Sequence, residues 1–313
     1  MTNYRYSINL DNKYSFGTEI EFAKAELLAL KELFISENLP IQYMVEHKSN
    51  HPNYSMWYLD TDTTVSEYKS RSFYGGELSS RILSDTKECW IELKKICSIL
   101  KSNNACVSKV CSNHITVDLS ILRDERKFFE IFSKIIAIYE REIETFYMGD
   151  KYLNRKTKNN YASSLSFALL HKINSVNFQK KDFLNDLKFK GIPVFGLRDA
   201  INLYFYEAPY YKLGKTMEVR YPNGTINAKT IQNNINFTLK LIQAIENDLF
   251  DCEELTFMIK KILNNNDVFK MALLDSKQQN FEKIVETIST TSDDIDDFMS
   301  QYEKVIETKK HTK

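Results

Sequence analysis

Two spacings of apolar residues alternate along the first two thirds of the chain. Between residues 14 and 221, runs with apolar side chains at every second position fall at 14–22, 42–47, 56–68, 73–78, 113–120 and 216–221, and each predicts a β-strand. Helical spacing separates them. It predicts helices near 25–37, over 84–103 with Trp90, Leu93, Ile96 and Leu100 on one stripe, and over 124–146 with Phe128, Phe132, Ile135, Tyr139, Ile143 and Phe146 aligned. After Asn227 the pattern is helical to the end, with Ile231, Ile235, Thr238, Ile242 and Ile245 on one stripe and shorter amphipathic pieces through Val305. The expected class is α+β, with a main domain over 1–250 and a helical C-terminal appendage over 251–313. That appendage holds thirteen acidic and nine basic residues, and reads as a solvated packing or capping subdomain.

Composition narrows this little except by exclusion. Of 313 residues, 43% are hydrophobic and 27% charged, enough apolar material for a full core, so disordered and fibrous classes are out. Forty-two Lys plus Arg balance forty-two Asp plus Glu, leaving no general electrostatic footprint for nucleic acid or an anionic membrane. No segment approaches the ~18 apolar residues of a membrane span, and the N-terminus lacks a signal pattern. The five cysteines are scattered without a CxxC, so they are expected as reduced thiols in a cytoplasmic protein.

Sorting the strands by parity exposes the chemistry, because alternate side chains point to opposite faces. In 16–22, Thr18, Ile20 and Phe22 share one face, while Gly17, Glu19 and Glu21 share the other, the two carboxylates ~7 Å apart. Residues 73–79, FYGGELS, present Glu77 beside two glycines that allow close backbone approach. In 113–120, NHITVDLS, the apolar face is Ile115, Val117 and Leu119, and the polar one His114, Thr116 and Asp118. In 216–221, Met217, Val219 and Tyr221 face inward, with Glu218 and Arg220 opposite. Singly, each has a plain structural reading: a solvated acidic face, a turn, a structural histidine, a neighbouring salt bridge. Together they suggest one polar concavity. Magnesium or manganese takes oxygen ligands, manganese also imidazole, and an arginine beside the carboxylates balances phosphate charge with its planar fork. Metal-assisted phosphoryl transfer fits this set. No GxSxG, HExxH, Walker A loop or GxGxxG is present.

In order along the chain, FGTEIEF (16–22), WYLDTDTTV (57–65), GGELSS (75–80), SNHITVDLS (112–120), NRKTKNNYA (154–162), RDAINLY (198–204) and MEVRYPNGT (217–225) resemble the amidoligase family. Its members are carboxylate-amine ligases related to glutamine synthetase and glutamate-cysteine ligase. The resemblance covers about residues 14–245. It implies a curved antiparallel sheet of glutamine-synthetase type backed by helices, the concave face holding ATP and Mg2+ or Mn2+. It also implies an acyl phosphate that an amine attacks to form an amide or peptide bond, the acid and amine being small molecules or peptides. Carried onto this sequence, the metal ligands are Glu19, Glu21, Glu77, His114 and Glu218. Arg220 meets phosphate or acyl phosphate, and His114 also stands at the nucleotide. Asp62, Arg155 and Asn202 fall on further positions with substrate or nucleotide contacts, Asp62 being a candidate acceptor for the amine's proton. Two residues depart from the family pattern. Thr116 stands where a second histidine is usual, and Arg81 where proline usually follows the serine. The same carboxylates also suit a metal-dependent phosphoryl-transfer enzyme or hydrolase, and Thr116 leaves open a degenerate site that binds nucleotide or peptide without turnover. The sequence sets neither the oligomeric state nor the substrates, whose specificity is expected in loops 46–53 and 153–161.

Overall fold

The computed structural model describes residues 3–11, 13–44, 54–149, 165–166, 169–170, 200–203, 215–264 and 278–311. Arg155 and both expected specificity loops lie outside the described residues. The first strand, β1 (Ser15–Glu26), follows its alternation: Phe16, Thr18, Ile20 and Phe22 are buried, which leaves Gly17, Glu19 and Glu21 to the other face. Between Phe22 and Glu26 its pairing slips, Lys24 adopts a φ of 73°, and burial passes to Ala25 and Leu27, as a β-bulge requires. Helix α1 (Leu27–Ser36) then buries Leu27, Leu30 and Phe34.

Strands β2 (Ile41–Met44), β3 (Trp57–Asp60), β4 (Glu67–Lys69), β5 (Ser72–Ser79) and β6 (Leu83–Ser84) precede α2 (Lys87–Ser102). Strand β7 (Asn113–Asp118), α3 (Glu125–Tyr147), β8 (Ile201–Asn202) and β9 (Thr216–Val219) complete the sheet region. The sheet is unclosed, in the order β2-β3-β5-β1-β7-β9-β8, with β4 on β5 and β6 on β1.

Two sequence expectations need correction. The sheet is mixed rather than antiparallel throughout, because β2 and β3 pair in parallel; residues 45–56 give the chain room to return in the same direction, which a tight turn does not. The run 56–68 is not one strand. Its backbone leaves the sheet after Asp60 because Asp62 builds a turn: its Oδ1 accepts from the Thr64 N–H and Oγ1, each at 2.6 Å, and its N–H donates to Ser66 Oγ. Such local carboxylate bonds compete with the ladder. Beyond it, Gly75 takes a φ of +79° where a Cβ would stand 2.8 Å from the Val65 carbonyl oxygen, and a Cβ on Gly76 would overlap the Asp60 carbonyl. The glycines therefore let three backbone segments meet beside Glu77.

The helices cover the apolar face. Thr86 caps α2 by accepting from the Cys89 N–H, and Trp90 stacks on Phe16 at 5.7 Å. Asp124 caps α3, and Asn227 caps α4 (Ala228–Glu246) through two N–H groups. Then come α5 (Cys252–Asn264), α6 (Gln278–Ile288) and α7 (Ser292–Lys310). Phe146 of α3 lies 4.6 Å from Phe237 of α4, 5.5 Å from Phe281 of α6 and 5.7 Å from Phe298 of α7, and Phe281 stacks on Tyr302 at 4.3 Å. Burying each such ring contributes on the order of 1.5–3 kcal/mol, so the C-terminal helices share this core. Asp294 and Asp297, within the segment read as an acidic, solvated appendage, are buried. They can be, because one nitrogen of Arg5 reaches both at 2.9 Å and Lys229 reaches Asp297 at 2.6 Å. Among the described residues, no helix is long and apolar enough to cross a membrane.

Candidate active site

Register brings the acidic positions together. Strands β5, β1, β7 and β9 lie side by side, with Glu21 opposite Glu77, Glu19 opposite both Ser79 and His114, and Thr116 opposite Glu218. Cross-strand neighbours stand ~4.5–5.5 Å apart, so the side chains on one face converge. They line a cleft of about 500 Å³ with Glu19, Glu21, Glu77, His114, Glu218 and Arg220 on its sheet side and the Asp62 turn at its rim.

Two trios form within it. His114 Nδ1 lies 2.7 Å from Glu19 Oε2 and 2.9 Å from Glu218 Oε1. Glu21, Asp62 and Glu77 form the second, and in each trio one ligand atom per residue lies within 4.8 Å of the others. Supporting groups fix the carboxylates. Asn202 Nδ2 donates to Glu218 Oε2 at 2.7 Å, Ser79 Oγ donates to Glu77 Oε1 at 2.6 Å, and Ser112 donates to Glu21 from its N–H at 2.7 Å and its hydroxyl at 2.5 Å. Arg220 Nε stands 3.8 Å from Glu218 Oε1.

Among the described residues, five carboxylates therefore face one arginine and one imidazole in this cleft. Burial, then the charge of Glu19, pushes the Glu77 carboxyl up to about 8. Burial likewise raises Glu21, against the opposing pull of His114 and Ser112. For His114, burial would disfavour the charged ring, yet the hydrogen bonds and charges of Glu19 and Glu218 outweigh it and hold its pKa at about 10. Burial also works against the Glu218 carboxylate, but His114, Arg220 and Asn202 overcome it and leave its pKa below the usual range.

Of the positions singled out in the sequence, Glu19, Glu21, Asp62, Glu77, His114, Glu218 and Arg220 meet in this cleft. Asn202, expected at a nucleotide, is buried against Glu218. Asp62, expected at the substrate end, stands beside Glu21 and Glu77. Sequence reasoning missed Ser112 and Ser79, although each lies two residues from His114 or Glu77 and so shares its parity. It also missed a second recess of about 300 Å³, sharing Glu19 and Ser79 with the cleft and lined by Tyr54, Arg81, Ile82, Thr116 and Asp118. Arg81 is held there by Glu92, its Nε 2.9 Å from Oε1; Trp57 Nε1 donates to the same oxygen.

A family model described as "Putative amidoligase enzyme" matches residues 12–242. The chain belongs to the amidoligase family. This amidoligase is thus a ligase that forms C–N bonds, and all seven motifs that carried the resemblance fall inside the matched span. No curated protein matches the chain in sequence. Among solved structures, the amidoligase is similar to the crystal structure of the complex between prokaryotic ubiquitin-like protein Pup and its ligase PafA. The identity is 10% and the TM-score 0.37, covering 96% of this chain and 67% of that one.

Proposed function

We propose that this amidoligase joins a carboxylate to an amine in an ATP-driven reaction through an acyl phosphate, on a sheet of glutamine-synthetase type. The observation that carries the reading is the pair of trios, Glu19/His114/Glu218 and Glu21/Asp62/Glu77, sharing one cleft. The donor set fits the cations such a reaction uses: five carboxylates suit magnesium or manganese, and the single imidazole suits manganese as well. Glu19, His114 and Glu218 would hold one ion and Glu21, Asp62 and Glu77 the other. When bound, divalent ions neutralise phosphate charge and help align the transferring group.

The chain's own residues account for the rest. Arg220, on the same strand face as Glu218, offers its guanidinium to the transferring phosphoryl oxygens, where charge develops. The recess beside Thr116 and Tyr54 has room for part of a nucleotide, which supports ATP lying along β1 and β7 with its phosphates toward the cleft. A substrate carboxylate oxygen attacks the γ-phosphorus and the bond to ADP breaks. The amine nitrogen then attacks the acyl carbon, phosphate leaves, and the nitrogen loses a proton. Asp62, at the rim among exposed threonines, is placed either to support the second ion or to take that proton. We assign catalysis to 1–250 and support to 251–313, on an acid and amine of either small-molecule or peptide type. The five cysteines are free, which accords with a reducing, cytoplasmic setting.

The test supplies ATP, Mg2+ and pools of acids, with hydroxylamine as the amine. A hydroxamate should form, and isotopic oxygen from the acid should appear in the released phosphate. Hydroxamate without that oxygen transfer would replace the acyl phosphate by an adenylate route. Phosphate release that needs no acid would make the protein a hydrolase.

A further inference from the structure

Among the described residues, the groups that steady the carboxylates mostly serve one trio each. Asn202 holds Glu218, Ser79 holds Glu77, and Thr64 holds Asp62. Ser112 differs. We propose that Ser112 is a positioning residue shared by both cation sites, an inference that rests on the reading of the two trios as those sites.

Ser112 is buried, with 3% of its surface exposed, and it belongs to neither trio. Its N–H and hydroxyl grip the two oxygens of Glu21 at 2.7 and 2.5 Å, and its carbonyl accepts from the Glu21 N–H at 3.1 Å. Its Oγ also lies 2.9 Å from His114 Nε2. A hydroxyl has one proton and two lone pairs. With the proton directed at Glu21, which as a carboxylate only accepts, the hydroxyl accepts from the imidazole, so Nε2 carries a hydrogen. The other ring nitrogen, Nδ1, then points at Glu19 and Glu218, where a cation would sit. One oxygen atom thereby sets the rotamer of a ligand in one trio and the ring orientation of a ligand in the other. Groups that orient metal ligands in this way commonly affect affinity by ten- to hundredfold when removed.

The sites can be separated on the full-length chain. Glu77→Gln leaves the Glu19/His114/Glu218 trio whole, and Glu19→Gln leaves the Glu21/Asp62/Glu77 trio whole. Mn2+ binding to each background is measured by calorimetry, with and without Ser112→Ala. The expected result is a ten- to hundredfold loss of Mn2+ affinity in both backgrounds, with most of it restored by Ser112→Thr, which keeps the hydroxyl. As controls, Ser79→Ala should weaken binding only where Glu77 is present, and Asn202→Ala only where the other trio is whole. A Ser112→Ala effect confined to one background, or absent from both, overturns the proposal while leaving the two sites standing. Absence of Mn2+ binding in the unmutated chain would instead remove the proposed function and this inference with it. Thermal melts check folding, and if Ser112→Ala does not fold, near-isosteric Ser112→Cys, a weak donor, serves in its place with the same expected loss.

Discussion

Replacing Asp294 by asparagine removes one charge from the interior while keeping the side-chain volume. Asp294 is 0% exposed. Its Oδ1 accepts from Arg5 and from Asn236, each at 2.9 Å, and its Oδ2 lies 3.7 Å from Lys240 Nζ and accepts from the Thr290 N–H at 3.3 Å and hydroxyl at 3.2 Å. Asparagine can retain some of these bonds through its oxygen, but its amide group turns donors toward donors. The side chain of Lys240 is itself fully buried, so the substitution leaves a cation there without its carboxylate. Breaking a buried pair from one side costs about 3–5 kcal/mol. With a urea slope of ~3 kcal/mol per M, Asp294→Asn should lower the unfolding midpoint by about 1 M or more at pH 7. The pH dependence has a definite sign. Burial opposes the Asp294 charge, but bonds from Asn236 and Arg5 and the charges of Lys240 and Arg5 outweigh it, so the folded pKa falls below the usual 3.8. The group thus stabilises the fold fully above that unfolded value, and this contribution is lost as pH falls through the lower folded one. The gap between wild type and Asp294→Asn should be widest near neutrality and close below about pH 4. A loss under ~1 kcal/mol at pH 7, or a gap that widens on acidification, would refute the account of α7 as held by buried charge.

Two further outcomes test the site and its scaffold. Arg220→Lys keeps the charge but loses the fork, so turnover should fall by about a hundredfold while the Kd for ATP changes little; steady-state kinetics beside equilibrium binding would check this, and unchanged kcat would remove Arg220 from the phosphoryl group. Gly75→Ala places a Cβ 2.9 Å from the Phe22 carbonyl oxygen at a φ of +79°, so denaturant unfolding should show a loss of more than ~2 kcal/mol, with wild-type stability contradicting the backbone geometry beside Glu77.

The acidic face was legible because strand parity is a local property. Glu19, Glu21, His114 and Glu218 alternate with Ile20, Ile115 and Val219, and nothing distant is needed to sort them. What parity cannot convey is which strands are neighbours. The parallel pairing of β2 with β3 depends on where the chain returns, which no residue in either strand encodes. The break at Asp62 was signalled only by an Asp followed two residues later by Thr64, a pattern too common to stop a strand on paper. Ser112 escaped notice because a serine has no chemistry of its own until Glu21 and His114 are seen on either side of it. The burial of Asp294 and Asp297 has no local signal for the converse reason: their partners, Arg5 and Lys229, lie far off in sequence, so the compensation that allows burial is invisible there.

The bulge in β1 makes that strand two half-strands in opposite phase. Before it the even positions, Phe16 to Phe22, face the helices; after it the odd position Ala25 does, and α1 opens with buried Leu27. Acids at 19, 21 and 26, which no single alternation could keep together, thus all avoid the apolar layer, Glu26 accepting from Ser72 Oγ at 2.5 Å. The two residues by which β1 outruns β5 here, four steps from Phe22 to Glu26 against two from Gly76 to Tyr74, work as a punctuation mark in the reading frame of the fold. Deleting Lys24 alone would leave the carboxylates at 19 and 21 where they are, but would turn Ala25 outward and drive Glu26 into the hydrocarbon interior. Homologous chains can therefore vary in length before β1 or within loops, yet the interval from Phe22 to Ala25 has to be counted out residue by residue.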